Sequence, residues 1–129
     1  MPGFLFLFLL ISSYGFSQTG NDVVKSVSHA LNAGDVRALS PYFNATIDLT
    51  LPDNDGTYSN KQAEQLLKVF FRENPVKSFT LDHHGNSNDG SQYLIGTLFC
   101  TSGTVFRVYS LIKKQGENNL IHQLQIEEK

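Results

Sequence analysis

The chain has 129 residues, with 10 Lys and Arg against 12 Asp and Glu, for a formal charge of −2. That balance supplies no basic surface for nucleic acid or an anionic membrane, and the length holds one domain with its own core but not two. Ten Phe and five Tyr, without Trp, recur inside periodic segments and set the chain apart from disordered compositions.

The first segment, Met1 to Ile11, is an uncharged apolar block, followed by the small and polar stretch Ser12 to Gln18. Residues 1–18 read as a secretion signal, with Gly15 and Ser17 at the −3 and −1 positions of a peptidase site. The block is too short to span a bilayer, and nothing in it is amphipathic, as a buried N-terminal helix would be. Residues 19–129 then form a single mature domain, expected in the periplasm or outside the cell, with no membrane insertion after cleavage. Cys100 is the only cysteine, so an intramolecular disulfide is excluded.

Between Asn21 and Ala33, Val23, Val24, Val27, Ala30 and Leu31 recur at helical spacing, and Gly34 ends the pattern. Asp35 is placed to cap a second, short helix through Val36 and Leu39, which Pro41 limits. Ala45, Ile47, Leu49 and Leu51 alternate with polar residues as a half-buried strand, and Pro52 to Gly56 reads as a turn. Ser59 caps a helix from Asn60 to Glu73 that buries Ala63, Leu66, Leu67, Phe70 and Phe71, and Asn74-Pro75 terminates it.

Four strands follow. In the first, Phe79, Leu81 and His83 share a face, and a Gly, Asn, Asp and Ser-rich loop runs from Gly85 to Gly90. A hairpin of Tyr93 to Thr101 and Thr104 to Lys113 is joined by Ser102-Gly103 as a two-residue turn. That register sets Gly96 opposite Tyr109 and Leu98 opposite Arg107. In the last strand Leu120, His122, Leu124 and Ile126 line one face. The order is helix, helix, strand, helix and four strands, an α+β fold.

This order, with the Gly34-Asp35 junction before a short helix ending in Tyr42-Phe43 and the long C-terminal hairpin, resembles the nuclear transport factor 2-like superfamily. The resemblance implies a curved antiparallel sheet wrapped around the N-terminal helices as a cone. Tyr58 to Ala63, Phe70 to Pro75 and Phe106 to Tyr109 are also similar to a family of short exported bacterial proteins, domain-of-unknown-function family 4783. Superfamily members include isomerases, dehydratases, small-molecule binders and association modules, so the fold alone assigns no chemistry. Isomerases of this fold place a carboxylate base inside the cone. Here Asp48 and Asp82 fall on the polar phase of their strands, facing solvent.

Four residues stand out as candidates for binding: Arg107 and Tyr109, which share a strand face with Val105 and Leu111, and His83 and His122, on apolar strand faces. A guanidinium among apolar neighbours needs a partner, which a carboxylate ligand supplies, unless its stem covers apolar surface and its head reaches water. Adjacent His83 and His84 point to opposite faces of a strand and make a poor chelating pair, so no metal or other cofactor is expected. Cys100 has no neighbouring cation to activate it. Asp53-Asn54-Asp55-Gly56 lacks the downstream Glu of a calcium loop.

Both faces of the hairpin are apolar, one with Tyr93, Ile95, Phe99, Phe106, Val108 and Ile112, the other with Leu94, Leu98, Val105, Tyr109 and Leu111. A sheet apolar on both sides has both covered, and helices cover only one. The first reading is therefore a non-enzymatic module that forms a homodimer through the outer sheet face, or takes a small-molecule or peptide ligand in the cone. The alternative is an isomerase or hydratase with His83 or His122 as general base and Tyr109 as donor.

Overall fold

The computed structural model describes residues 20–129. The leader reading falls on residues outside that range. The elements are α1 (Gly20–Ala33), α2 (Val36–Leu39) with a 3-10 turn (Ser40–Tyr42), β1 (Phe43–Leu51), β2 (Asn54–Ser59), α3 (Asn60–Glu73), β3 (Val76–Asn86), β4 (Gln92–Cys100), β5 (Val105–Gln115) and β6 (Asn118–Glu128). Among the described residues, three helices pack with one six-stranded sheet in the order β2-β1-β6-β5-β4-β3. The fold is α+β, as the sequence pattern requires.

Local chemistry sets the helix ends. Gly34 sits at φ +60, where a residue without Cβ turns the chain at no steric cost. The Gly34 and Asp35 N–H groups donate to the Leu31 and Ala30 carbonyls at 3.1 and 2.9 Å, the two bonds of a Schellman motif. Asp35 then caps α2, its side chain accepting from the Ala38 N–H at 3.2 Å. Ser59 and Gln62 form a capping box at the start of α3, satisfying two donors that the helix leaves open.

The sheet departs from the expected pattern in three ways. First, the segment read as a turn after Pro52 is β2, paired antiparallel with β1 from Leu51↔Asn54 to Thr46↔Ser59. Its residues are half-buried or exposed, so no apolar alternation marks it. Cross-strand contacts hold it: Thr57 Oγ1 donates to Asp48 Oδ1 at 2.6 Å and Thr50 Oγ1 to Asp55 Oδ1 at 3.0 Å. Second, the sheet is mixed, because β1 runs parallel to β6, with Leu49 beside Leu124.

Third, the hairpin register is one residue off the expected one. Ile95, Thr97 and Leu98 face Tyr109, Arg107 and Phe106, and Gly96 faces Val108. The loop is the cause: Gly103 takes φ +92 and Cys100 N–H donates to Thr104 O at 3.0 Å, so three residues make the turn instead of two. A single-residue slip moves every side chain to the other face. The inner face of the hairpin is thus Leu94, Gly96, Leu98 and Cys100 with Phe106, Val108, Ser110 and Ile112, all buried. Tyr93, Ile95, Thr97 and Phe99 with Val105, Arg107, Tyr109 and Leu111 form the outer face.

Two further irregularities rearrange the faces of β3 and β6. A register shift between Leu81 and His83 puts Leu81 inward beside Gly96 and His83 outward beside Ile95, so Phe79, Leu81 and His83 do not share a face. A shift opposite Leu111 and Ile112 makes His122 the extra residue of β6, and Ile121, Leu124 and Ile126, rather than Leu120 and His122, are fully buried. Asp48 and Asp82 are exposed, as expected.

The core lies between the inner sheet face and the helices. Helix α1 buries Val23, Val24, Val27, Ala30 and Leu31 against β3 and β4, and α3 buries Ala63, Leu67, Phe70 and Phe71 against β1 and β2. Phe70 meets Phe71 and Phe106 edge to face, at centroid distances of 5.3 and 5.2 Å. Asn32 Oδ1 accepts the Phe79 N–H at 2.9 Å, tying α1 to β3. An aromatic ring does cover Gly96, but it is Phe79 of β3 and not Tyr109.

A methyl group at Gly96 would collide with the Phe79 ring and with the Thr80 carbonyl, which is backbone and cannot move aside. Gly96→Ala is therefore expected to destabilise the domain by about 1–3 kcal/mol, read as a lower midpoint in urea denaturation. An unchanged midpoint would show that β3 and β4 can separate without cost.

Candidate functional site

The outer face of the sheet carries a contiguous apolar patch. Its centre is two cross-strand pairs, Tyr93↔Leu111 and Ile95↔Tyr109, each residue half-buried in the single chain. The pair Phe99↔Val105 continues it towards the hairpin turn, and Phe99 is 38% exposed. A polar row crosses between them: Thr97 Oγ1 donates to Asp82 Oδ2 at 2.6 Å and accepts from Lys129 Nζ at 3.4 Å. Arg107 lies in that row, between Thr97 on β4 and Glu127 on β6.

The structure brings three of the four candidate residues to this face. Arg107 is exposed and makes no hydrogen bond or ion pair with the described residues, so its guanidinium reaches solvent. Tyr109 shares a shallow depression of about 280 Å³ with Arg107, Gln125 and Glu127. His83, also exposed, has its Nε2 2.8 Å from the Tyr93 hydroxyl. The bulge at Asp82 carries His83 outward, and the alternation of Phe79, Leu81 and His83 does not disclose it.

His122 stands apart. It lies on β6, three strand spacings from His83 on β3, or roughly 14 Å. Its Nε2 is buried without a hydrogen-bond partner among the described residues. Burial lowers its pKa below the ordinary value of 6.5, helped by the charge of Lys113 and opposed by Asp48. His83, His122 and Tyr109 therefore do not meet in one enclosed pocket. Cys100 is buried, its thiol donating to the Asn74 carbonyl at 3.8 Å, and burial pushes its pKa up, away from the reactive thiolate.

A second groove lies at the end of the molecule where α3 stops, with a volume of about 460 Å³. Leu51, Leu66, Val69, Phe70 and Phe106 form its apolar floor, and Asp53, Glu73 and Glu128 lie on its exposed edge. No motif announces it, because its residues come from the β1–β2 turn, α3, and the ends of β5 and β6. Among the described residues, no group of three His, Cys, Asp or Glu side chains is close enough to hold a metal ion, and no helix is long and apolar enough to cross a membrane.

A histidine with a lowered folded pKa binds its proton less readily in the native state than in the unfolded chain. Its contribution to stability is present above pH 6.5 and is lost as pH falls through the lowered value. Unfolding midpoints are expected to drop as the pH falls below 6.5, and His122→Gln to flatten that part of the profile. An identical slope in the variant would assign it to other groups.

The chain is similar to several proteins of known structure. A DUF4783 protein from Bacteroides ovatus is 31% identical, with a TM-score of 0.75 over 81% of this chain and 93% of that one. Its counterpart from Bacteroides uniformis is 28% identical, with a TM-score of 0.76 over 81% and 95%. An NTF2-like protein of unknown function from Cytophaga hutchinsonii shares the fold at 16% identity, with a TM-score of 0.59 over 86% and 90% of the two chains. A search of curated proteins finds no match. The family model for the domain of unknown function DUF4783 matches residues 24–127, and the chain belongs to that family, with a nuclear transport factor 2-like fold.

Proposed function

We propose that the mature domain is an exported, non-enzymatic module that pairs with a second copy of itself through the outer face of β4 and β5. The observation that carries this reading is the patch of Tyr93, Ile95, Tyr109 and Leu111, on the sheet face that the described helices leave open. A contiguous apolar patch on such a face marks an association surface. The inner face of the same strands is filled by the chain's own buried residues, which supports association over a ligand held deep in the cone.

Charge arrangement supports a copy of this chain as the partner. A two-fold interface presents the same surface twice, so a residue and its complement must both lie on it. Arg107 and Glu127 sit directly across β5 and β6, both exposed and without an ion pair in the described chain. In a two-fold pair each Arg107 reaches the Glu127 of the other copy, and the apolar pairs close between them. Gln123 and Gln125 flank the patch as a polar rim. Export rests on the apolar leader of residues 1–18.

The isomerase reading has less support. General acid–base catalysis needs its donor and base within reach of one substrate, whereas His83 and Tyr109 lie on the open face and His122 three strands from His83.

Native mass spectrometry of the full chain, expressed with its leader in a bacterial host, tests both parts. The expected species is a dimer of the domain lacking the leader. Ile95→Asp sets a charge in both halves of the patch and should weaken pairing by about 100-fold with an unchanged circular dichroism spectrum. A strictly monomeric wild type at high micromolar concentration would overturn self-association, and a retained leader would overturn export.

A further inference from the structure

We propose that the groove at the end of α3 binds a small amphiphilic cation, an amine or amidine carried on an apolar body. Its volume of about 460 Å³ falls within the range of small-molecule sites. The floor supplies the apolar contacts: Leu51, Phe70 and Phe106 are buried, and Val69 is 40% exposed within the groove. An apolar side chain so exposed on a helix that otherwise packs well gains from a bound apolar group.

Charge decides the class of ligand. Asp53 of the β1–β2 turn, Glu73 of α3 and Glu128 of β6 line the groove, and no Lys, Arg or His does. None of the three carboxylates has a hydrogen bond or ion pair with the described residues. Glu73 is also the last residue of α3, where the helix carries partial negative charge and an acid is disfavoured. A bound cation relieves that conflict, and an anion worsens it. Among the described residues no three His, Cys, Asp or Glu side chains are placed to hold a metal ion, and the apolar floor favours an organic cation.

The groove is floored by inward residues of the sheet and by α3, on the side opposite the Tyr93 and Tyr109 patch. The test is a titration of the 15N-labelled domain with 4-phenylbutylamine, and separately with 4-phenylbutyrate, at matched ionic strength. The amine is expected to shift the amides of Val69, Phe70, Asn74 and Thr104 saturably, and to bind at least about tenfold more tightly than the acid, the worth of one charge-assisted contact.

Glu73→Gln should weaken the amine several-fold while leaving the melting temperature unchanged or raised, since it removes an acid from a helix C-terminus. A purely structural Glu73 would not separate the two readouts. Equal binding of amine and acid, shifts elsewhere on the domain, no saturable binding, or undiminished affinity in Glu73→Gln combined with Glu128→Gln would each overturn the proposal.

Discussion

The parallel seam between β1 and β6 holds the two halves of the molecule together. The chain up to Glu73 is two helices, a hairpin and a third helix, and the chain from Val76 is a four-stranded antiparallel meander. Neither half can cover its apolar residues alone. At the seam Leu49 lies beside Leu124, both fully inaccessible, and α3, packed on β1 and β2, reaches Phe106 of β5 through Phe70. Once the seam forms, α1 and α3 lie against one sheet face, and the core closes between them.

The seam also leaves the other face without any of the described helices. The described helices and their apolar stripes are spent on the inner face, while β4 and β5 carry apolar residues on both. Strands apolar on both sides belong to sheets covered on both sides. The outer patch of Tyr93, Ile95, Tyr109 and Leu111 is thus a consequence of the same composition that fills the core. The polar row of Asp82, Thr97 and Lys129, with Arg107 and Glu127, borders the patch and separates it from Phe99 and Val105.

Irregularities in the strands decide which residues appear on which surface. The shift at Asp82 sends His83 outward, the shift at His122 leaves a buried ring nitrogen without a partner among the described residues, and the three-residue turn at Gly103 sets the hairpin register. Each changes side-chain phase by one residue, the smallest step that exchanges the two faces of a strand. The Phe79 ring over Gly96 pins β3 against β4 in that register, because a larger residue at Gly96 has no room.

Much of the local structure was legible in the residues themselves. The ends of α1 and α3 follow from Gly34, Asp35, Ser59 and Asn74, whose hydrogen bonds are made within a few positions along the chain. The apolar spacing of both helices, the alternation of Ile47, Leu49 and Leu51, and the order of the elements up to the missed strand are properties of neighbours in sequence.

Strand β2 was not legible, because its polar residues become a strand only when Leu51 to Thr46 are there to pair with. The parallel seam, the faces of His83 and His122, and the register that puts Arg107 beside Thr97 instead of Leu98 were decided by contacts between distant segments. The groove of Asp53, Glu73 and Glu128 likewise exists only where the β1–β2 turn and the ends of α3 and β6 meet. Sequence determines where a helix starts and stops because capping is short-range. Only the tertiary structure decides which face of a strand is inside, because one inserted residue reverses that face and the composition stays the same.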